Sequence, residues 1–321
     1  MIPLPNLGGA PQRVVTLTAN PSLDRTAELA QLVPGEVQRM TGFQLDAGGK
    51  GVNVARALHS AGVPVTAVLP AGGLNGHELL RLLALEGLDV AAVAIEEPIR
   101  SNITIVERDG RTTKINEQGP DLASAVSRLH VTVMRAAAGA DWVVLAGSLP
   151  PGTTPRLYTD LIHALQDAGV KVAVDCDGPI LKDVIAAGPD LIKPNDEELA
   201  AAAGLPVDDP YTARAAISAL QELGARAVLA SLGAQGAVLV DDTGTHLAVG
   251  QAVLPRSTVG AGDATLAGFI AAGARGPQAL RHAVAYGTAA VQLPGTQMPT
   301  PSDIDESTVA LTAIATERTL P

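Results

Sequence analysis

Short apolar runs alternate with longer amphipathic stretches along most of the chain. The runs are rich in Val, Ile and Leu and have the length of buried strands, and the amphipathic stretches repeat their apolar positions with the period of an α-helix. Such alternation indicates an α/β protein with a mainly parallel sheet and helices on both faces. The pattern predicts strands at residues 14–19, 65–69, 90–95, 142–146, 170–175, 191–192, 227–230 and 237–240, and helices at residues 76–86, 122–138, 155–168, 180–187, 211–223, 262–274 and 277–293, with a further helical stretch around Ala200.

Two segments depart from this rhythm. Residues 35–46 scatter apolar positions among polar ones, and residues 99–117 contain Asp109-Gly110, a signature of a hairpin turn. Half-buried, alternating segments inserted in a chain of strands and helices predict a small side sheet. We expect this sheet to cover a cleft as a lid, inserted in a single domain that spans residues 1–321.

The composition adds a limit on the core and on the partners. Aromatic residues make up only 2% of the 321 residues, which predicts a core of Ala, Val and Leu with close contact between helices and sheet. A net charge of −11 argues against nucleic acid or an anionic membrane as partner, because both attract basic surfaces. An anionic substrate therefore has to be held by a few local cations.

Cys176 is the only cysteine, which excludes disulfide bonds and thiolate zinc sites and fits a reducing compartment. The six histidines are scattered without the spacing of metal ligands. No apolar run is long enough to span a membrane, and the first residues do not resemble a signal peptide. We therefore expect a soluble, cytoplasmic protein.

The most distinctive stretch is residues 257–263, which read STVGAGD and lead into an apolar helical pattern. Glycines allow a sharp turn and close approach of a ligand to the backbone, and the free N–H groups of a helix N-terminus attract anions. Asp263 could take a proton from a hydroxyl that attacks a bound phosphate. Taken alone, the segment supports equally well a glycine turn whose Asp263 caps a helix. No P-loop or dinucleotide-binding fingerprint is present.

Four other polar or glycine-rich segments also follow predicted strands. Ligands of parallel α/β sheets bind outside the carboxyl ends of the strands. Any one of these segments could be an ordinary loop, but together with residues 257–263 they favour one shared cleft. The segments are Asp24, Gly147-Ser148, Lys193-Pro194-Asn195 and Ser231-Leu232-Gly233.

Two helix starts add candidate ligand groups. Residues 46–53 read DAGGKGVN, where Lys50 supplies charge and Asn53 a donor and an acceptor for a polar ligand that carries phosphate. The alternative is a glycine cluster that packs a helix against a sheet. Asn195 and Glu198 lie one turn apart and could hold magnesium-bound water, although acidic residues at a helix start are also expected from the helix dipole alone.

Acidic residues also surround Cys176. Asp175 and Asp177 lie at the end of a predicted strand, and we expect them to cap the next helix.

In this order the motifs resemble those of the PfkB family of ribokinase-like sugar kinases, from Thr16 to about Asp303. Residues 47–53 and 257–263 match the two signatures of the family. The resemblance implies a ribokinase-like three-layer α/β/α fold with a small β-sheet lid. It also implies a phosphotransferase that acts on an alcohol group, uses ATP and Mg²⁺, and forms a homodimer through the lid.

The resemblance further assigns roles to residues of the catalytic and nucleotide side. Asp263 is implied as the catalytic base, and Asn195 and Glu198 as the residues that position Mg²⁺ through water. The backbone of the preceding turn is implied as the anion hole for the transferred phosphoryl group. The anion hole comprises Gly260, Ala261 and Gly262, and the ATP side is lined by Lys193, Asn195, Ser231, Gly233 and Thr258.

On the acceptor side, the resemblance implies that Lys50 and Arg100 bind the phosphate already present on the sugar. This pairing explains how a chain of charge −11 binds a dianion. Arg256, just before the second signature, has no role that we can assign. The residues that hold the sugar itself are implied to be Asp24, Gly48, Gly49, Asn53 and Ser148.

Different segments resemble different branches of the family. Residues 49–51 look like the 1-phosphofructokinases and tagatose-6-phosphate kinases, and residues 117–120 like the latter. Residues 70–73 and 293–296 look like the minor 6-phosphofructokinase, whose lid lysine is replaced by Val37.

The implied reaction is phosphorylation of fructose 1-phosphate to fructose 1,6-bisphosphate. Tagatose 6-phosphate and fructose 6-phosphate remain alternative acceptors. A neutral sugar or nucleoside kinase and a non-catalytic sugar-phosphate-binding regulator are more distant alternatives.

Overall fold

The computed structural model describes residues 13–176 and 178–313, so the cap predicted for Asp177 lies outside the described residues. A ten-stranded sheet forms the centre of the molecule, in the order β14-β13-β12-β11-β10-β9-β8-β1-β4-β5. Its strands are β1 (Val14–Thr18), β4 (Val65–Ala71), β5 (Asp89–Ala94), β8 (Trp142–Ala146), β9 (Lys171–Asp175), β10 (Leu191–Ile192), β11 (Val228–Ser231), β12 (Ala237–Asp241), β13 (Gly244–Val249) and β14 (Ala310–Ala313).

Seven neighbouring strands of this sheet run parallel, namely β5, β4, β1, β8, β9, β10 and β11. Strands β12, β13 and β14 add an antiparallel edge next to β11. The prediction of a mainly parallel sheet is therefore confirmed. The antiparallel strands β13 and β14 were not predicted, because partly exposed edge strands lack a continuous apolar run. Since β1, β8, β9, β10 and β11 are parallel, their carboxyl ends lie at one edge of the sheet.

Helices cover both faces of this sheet. They are α1 (Lys50–Ser60), α2 (Gly73–Leu85), α3 (Val126–Ala136), α4 (Arg156–Asp167), α5 (Gly178–Ile185), α6 (Asp196–Ala203), α7 (Pro210–Glu222), α8 (Ala261–Ala271) and α9 (Gly276–Ala290). Val14 of β1 belongs to a core with α1, α2, α8 and α9, whereas its neighbour Val15 belongs to a core with α3 to α7. This alternation produces the expected three-layer α/β/α arrangement, in which each strand feeds two cores.

A second, four-stranded sheet has the order β3-β2-β6-β7. Strands β3 (Gly42–Gly48), β6 (Arg100–Glu107) and β7 (Thr112–Asn116) fall within or near the predicted lid segments. Strand β2 (Ser22–Leu29) was missed, and the placement of Asp24 in a loop beyond β1 is wrong, because Asp24 lies within β2. The polar residues of β2 have the composition of a turn, and the segment becomes a strand because it pairs with β3 and β6.

Register decides what this side sheet presents on each face. Asp24 pairs with Asp46 on one side and with Asn102 on the other, so the three side chains share a face. Phe43, Ile103 and Ile115 lie on the opposite face and are largely exposed. Among the described helices, none has the length and apolarity needed to cross a membrane.

Candidate active site

The N-terminus of α8 forms an open anion-binding turn. Gly260, which precedes α8, has a φ of 79°, a left-handed conformation that favours glycine. A Cβ at Gly260 would lie 2.6 Å from the Cε of Met298, so a larger residue would also crowd the turn. The first N–H groups of α8 have no acceptor within the helix and carry the positive end of its dipole. The structure therefore contains the turn and the helix start that residues 257–263 predicted.

Asp263 lies in the first turn of α8 and is 6% exposed. Its Oδ2 accepts a hydrogen bond of 2.8 Å from Nδ2 of Asn53 in α1. Burial, with a contribution from the charge of Asp175, raises the pKa of Asp263 to about 6, although Asn53, Lys193 and Lys50 oppose the increase. A carboxylate with a pKa near the working pH is suited to general-base chemistry.

A buried ion-pair cluster lies beside this turn. Asp175, the last residue of β9, is 1% exposed, and its Oδ2 lies 3.0 Å from Nζ of Lys193 while its Oδ1 accepts a hydrogen bond of 3.0 Å from Nζ of Lys50. Burial opposes ionisation of Asp175, but the two ammonium groups hold its pKa below the ordinary value. The prediction that Asp175 caps the next helix is wrong, because its side chain binds two lysines instead.

Lys50 also reaches a second acidic side chain. Its Nζ lies 3.3 Å from Oε1 of Glu198 at the start of α6. The structure therefore places the ammonium group of Lys50 with the acidic residues of the implied metal side. The role of Lys50 in binding the phosphate of the sugar stays a prediction.

Asn195 and Glu198 form a capping box at the start of α6. Oδ1 of Asn195 accepts from the N–H of Glu198 at 2.7 Å, and Oε2 of Glu198 accepts from the N–H of Asn195 at 3.0 Å. Asn195 and Glu198 therefore cap α6, as the helix-dipole alternative predicted. The other carboxylate oxygen of Glu198, Oε1, contacts Lys50. The described residues contain no cluster of three ligating side chains. Oxygen donors of this kind fit a Mg²⁺ ion that is held through water and nucleotide phosphates, and do not form a complete protein cage.

The remaining nucleotide-side predictions fall on adjacent loops. Ser231, at the end of β11, forms a bridge to Asn195 and donates its N–H to the carbonyl of Pro194 at 3.0 Å. Gly233 has a φ of 55°, and a Cβ there would meet open space. Thr258 is exposed before the α8 turn, and the side chain of Arg256 is exposed.

The polar face of the side sheet carries the candidate residues of the acceptor side. Asp24 accepts hydrogen bonds from Ser22 Oγ at 2.7 Å and from Asn102 Nδ2 at 3.0 Å. Burial raises its pKa, against these two bonds and the positive charge of Arg100. A Cβ at Gly48 would collide with the carboxylate of Asp24, which explains why glycine is needed there.

Three asparagines with buried Oδ1 atoms connect these parts, and sequence reasoning anticipated only Asn53. Asn20 donates to Ser148 Oγ at 3.2 Å and to the carbonyl of Gln118 at 2.9 Å. The Oδ1 atoms of Asn20, Asn53 and Asn102 are buried and have no hydrogen-bond partner. Unpaired buried acceptors are costly, and a ligand with several hydroxyl groups would satisfy them. Asn102 alternates with apolar residues in β6, which was the available signal for its position in the sheet.

Comparison with known proteins agrees with this geometry. The model of the pfkB family of carbohydrate kinases matches residues 17–303. A 1-phosphofructokinase of Rhodobacter capsulatus is 36% identical over 96% of this chain and 98% of its own length. The ATP-dependent 6-phosphofructokinase isozyme 2 of Escherichia coli is 36% identical, over 89% of this chain and 94% of its own.

A solved structure shows the same architecture. The phosphofructokinase-2 of Escherichia coli, in complex with substrates and products, superimposes with a TM-score of 0.85 at 36% identity, covering 91% of this chain and 96% of that one. The fold is thus ribokinase-like, as the motifs implied. The chain belongs to the pfkB family of carbohydrate kinases and is a sugar kinase that transfers a phosphoryl group to a hydroxyl.

Proposed function

We propose that this protein is an ATP-dependent kinase that phosphorylates fructose 1-phosphate to fructose 1,6-bisphosphate. The observation that carries the proposal is the contrast between two groups of residues, which we take as the catalytic end and the acceptor end of one site. Asp263 and the open N-terminus of α8 form the first group, and Asp24 and Arg100 form the second. The identity with a 1-phosphofructokinase over almost the whole chain supports this acceptor.

The catalytic end supplies a base and an anion hole. Asp263 takes the proton of the acceptor hydroxyl as that oxygen bonds to the γ-phosphorus of ATP and the bond to the β-phosphate bridge breaks. The free N–H groups at the start of α8 stabilise the charge on the transferred group. Asn195 and Glu198 would hold Mg²⁺ through water, and the ion would supply positive charge next to the nucleotide phosphates.

The acceptor end binds a sugar that carries a phosphate. Asp24 and the unpaired acceptors of Asn53 and Asn102 take hydrogen bonds from sugar hydroxyls. Arg100 pairs with the phosphate, because a guanidinium fits phosphate with two parallel hydrogen bonds. In this arrangement the ketohexose phosphate presents its phosphate to Arg100 and its free primary hydroxyl to Asp263.

Fructose 6-phosphate and tagatose 6-phosphate are the next candidates. The relative in Escherichia coli is named as a 6-phosphofructokinase, and residues 117–120 resemble tagatose-6-phosphate kinases. The replacement of the lid lysine by Val37 disfavours fructose 6-phosphate. A neutral sugar or nucleoside carries no phosphate with which the positive charge of Arg100 could pair. A non-catalytic regulator would not need Asp263 as a buried base with a raised pKa.

We further propose one kinase domain over residues 1–321, with the side sheet as its lid, and a homodimer formed through that lid. The apolar face of the side sheet supports the dimer. Phe43, Ile103 and Ile115 are 55%, 38% and 54% exposed on the face that points away from Asp24. An exposed apolar patch on a sheet is typical of an interface between subunits.

The test of the function is consumption of ATP in the presence of Mg²⁺. Fructose 1-phosphate, fructose 6-phosphate, tagatose 6-phosphate, fructose and ribose are compared by kcat/KM, with EDTA as a control that abolishes turnover. We expect the highest kcat/KM for fructose 1-phosphate. A preference for an unphosphorylated sugar, or no turnover with any of the five, would contradict the proposal.

A further inference from the structure

Lys50 occupies a position that the predicted sugar-phosphate role does not explain. It is the first residue of α1, and its ammonium group lies between two carboxylates, 3.0 Å from Asp175 and 3.3 Å from Glu198. Its side chain remains 31% exposed, whereas Asp175 is 1% exposed. Lys50 therefore contacts two acidic side chains and keeps part of its own side chain accessible to solvent.

The backbone of Lys50 is held against the catalytic helix. Asn53, one turn later in α1, donates to Asp263 in α8 at 2.8 Å. A Cβ at Gly51 would lie 2.8 Å from the carbonyl oxygen of Leu17, so the start of α1 is pressed against the end of β1. These contacts leave little freedom for the Cα of Lys50, and the ammonium group can move only by rotation of the side chain.

Lys193, the second lysine of the cluster, lies close to the start of α8. Nζ of Lys193 would lie 3.1 Å from a Cβ at Gly262, directly against the first turn of α8. Lys193 is 4% exposed and shares Asp175 with Lys50. Asp175 thus binds two ammonium groups, of which that of Lys193 lies against the start of α8, and of the two lysines Lys50 is the more accessible to a ligand.

We propose that Lys50 is a catalytic residue for the transferred phosphoryl group, with Asp175 as its positioning residue, and that the phosphate of the acceptor is left to Arg100. This inference rests on the proposed kinase function. Mg²⁺ bound with the nucleotide would compete with Lys50 for Glu198, so that the side chain of Lys50 could rotate away from that carboxylate. Its ammonium group then donates to an oxygen of the γ-phosphate, the group that moves from ATP to the acceptor.

Binding measurements test this contact without any turnover. The affinities of ATP and ADP are measured by calorimetry for the wild type and for Lys50→Met. The two nucleotides differ only in the γ-phosphate, so we expect the preference for ATP over ADP to fall by about tenfold or more, as for loss of one charge-assisted hydrogen bond. The affinity for fructose 1-phosphate should stay within about twofold of the wild type.

Kinetics provide the matched comparison. With Lys50→Met, kcat/KM should fall by the same factor for fructose 1-phosphate and for fructose, because both receive the same phosphoryl group. With Arg100→Met, kcat/KM should fall for fructose 1-phosphate and should change much less for fructose. Lys182→Met, which removes an exposed lysine of α5, controls for the loss of one positive charge.

Two results would overturn the assignment of Lys50. One is an unchanged preference for ATP over ADP in the Lys50→Met protein. The other is a loss of affinity and activity confined to the phosphorylated acceptor, which would return Lys50 to the sugar-phosphate site. Lys50→Gln, which can still hydrogen-bond to Asp175, replaces Lys50→Met if that variant does not fold. If the wild type turns over no sugar, the proposed function fails, while the nucleotide comparison still decides the role of Lys50.

Discussion

Asn53 donates a 2.8 Å hydrogen bond to the carboxylate of Asp263, joining the first turns of α1 and α8 across 210 residues of sequence. Both side chains are buried, at 4% and 6% exposure. The bond orients the base, and the second amide atom, Oδ1 of Asn53, stays unpaired for a ligand. One asparagine thus connects the base to the acceptor site.

Replacement of Asp263 by Asn should remove phosphoryl transfer and leave binding of the sugar phosphate largely intact. The amide keeps the size of the side chain but cannot take a proton, so kcat should fall by at least about 100-fold. Release of ADP measures transfer, and calorimetry with fructose 1-phosphate measures binding. Turnover above about one part in a hundred would exclude Asp263 as the base.

The activity should decline at acidic pH because the base must be ionised. With a pKa of about 6 for Asp263, kcat/KM should begin to fall below about pH 6 and then decrease tenfold per pH unit. A profile from pH 5 to 9 measures this limb. The residual activity of Asp24→Asn should decline at acidic pH in the same way as that of the wild type. This control distinguishes Asp263 from Asp24, the other carboxyl group with a raised pKa. A flat profile down to pH 5 would contradict the assignment.

The raised pKa of Asp263 also predicts how Asp263→Asn changes stability with pH. The folded-state pKa of about 6 exceeds the ordinary value of 3.8, so the neutral acid is the form that the fold favours. Its contribution to the free energy of unfolding is present below pH 3.8 and is lost as the pH rises through 6. Asp263→Asn should therefore be more stable than the wild type at pH 8, with a difference that shrinks toward pH 4. Urea unfolding measures it, and a difference independent of pH would disprove the buried ionisation.

A second carboxyl group in contact with Asp263 should shift its titration. Asn53→Asp replaces the hydrogen-bond donor by a like charge, and both changes raise the pKa of Asp263. The acid limb of kcat/KM should move to higher pH by about one unit or more. Asn102→Asp is the matched control, because Asn102 contacts Asp24 and not Asp263, and it should leave the limb in place. An unmoved limb in Asn53→Asp would count against the coupling of the two residues.

The proposed dimer predicts a change of mass when the apolar face of the side sheet is charged. Phe43→Asp would place a carboxylate in the proposed contact, and burying a carboxylate without a partner is strongly unfavourable. Light scattering after gel filtration should show a dimer for the wild type and a monomer for this variant. Val131→Asp, at an equally exposed apolar position in α3, should remain dimeric. A monomeric wild type would exclude the dimer.

The sequence alone determined the features that depend on short stretches of chain. Apolar periodicity located most strands and helices of the large sheet, because burial on one face or two leaves a local pattern. The glycine turn at Gly260 and the helix after it were predicted for the same reason, since a left-handed φ and free N–H groups are properties of neighbouring residues. The order of the motifs was enough to identify the family.

Only the tertiary structure decided which distant side chains meet. Strand β2 exists because β3 and β6 pair with it, and its own residues carry no strand signal. Lys50 and Asp175 are 125 residues apart, and they form an ion pair because the fold brings the start of α1 near the end of β9. The sequence shows the type and charge of each residue, whereas long-range packing determines which acidic side chain a lysine contacts. That difference separates the predicted role of Lys50 from the position it occupies.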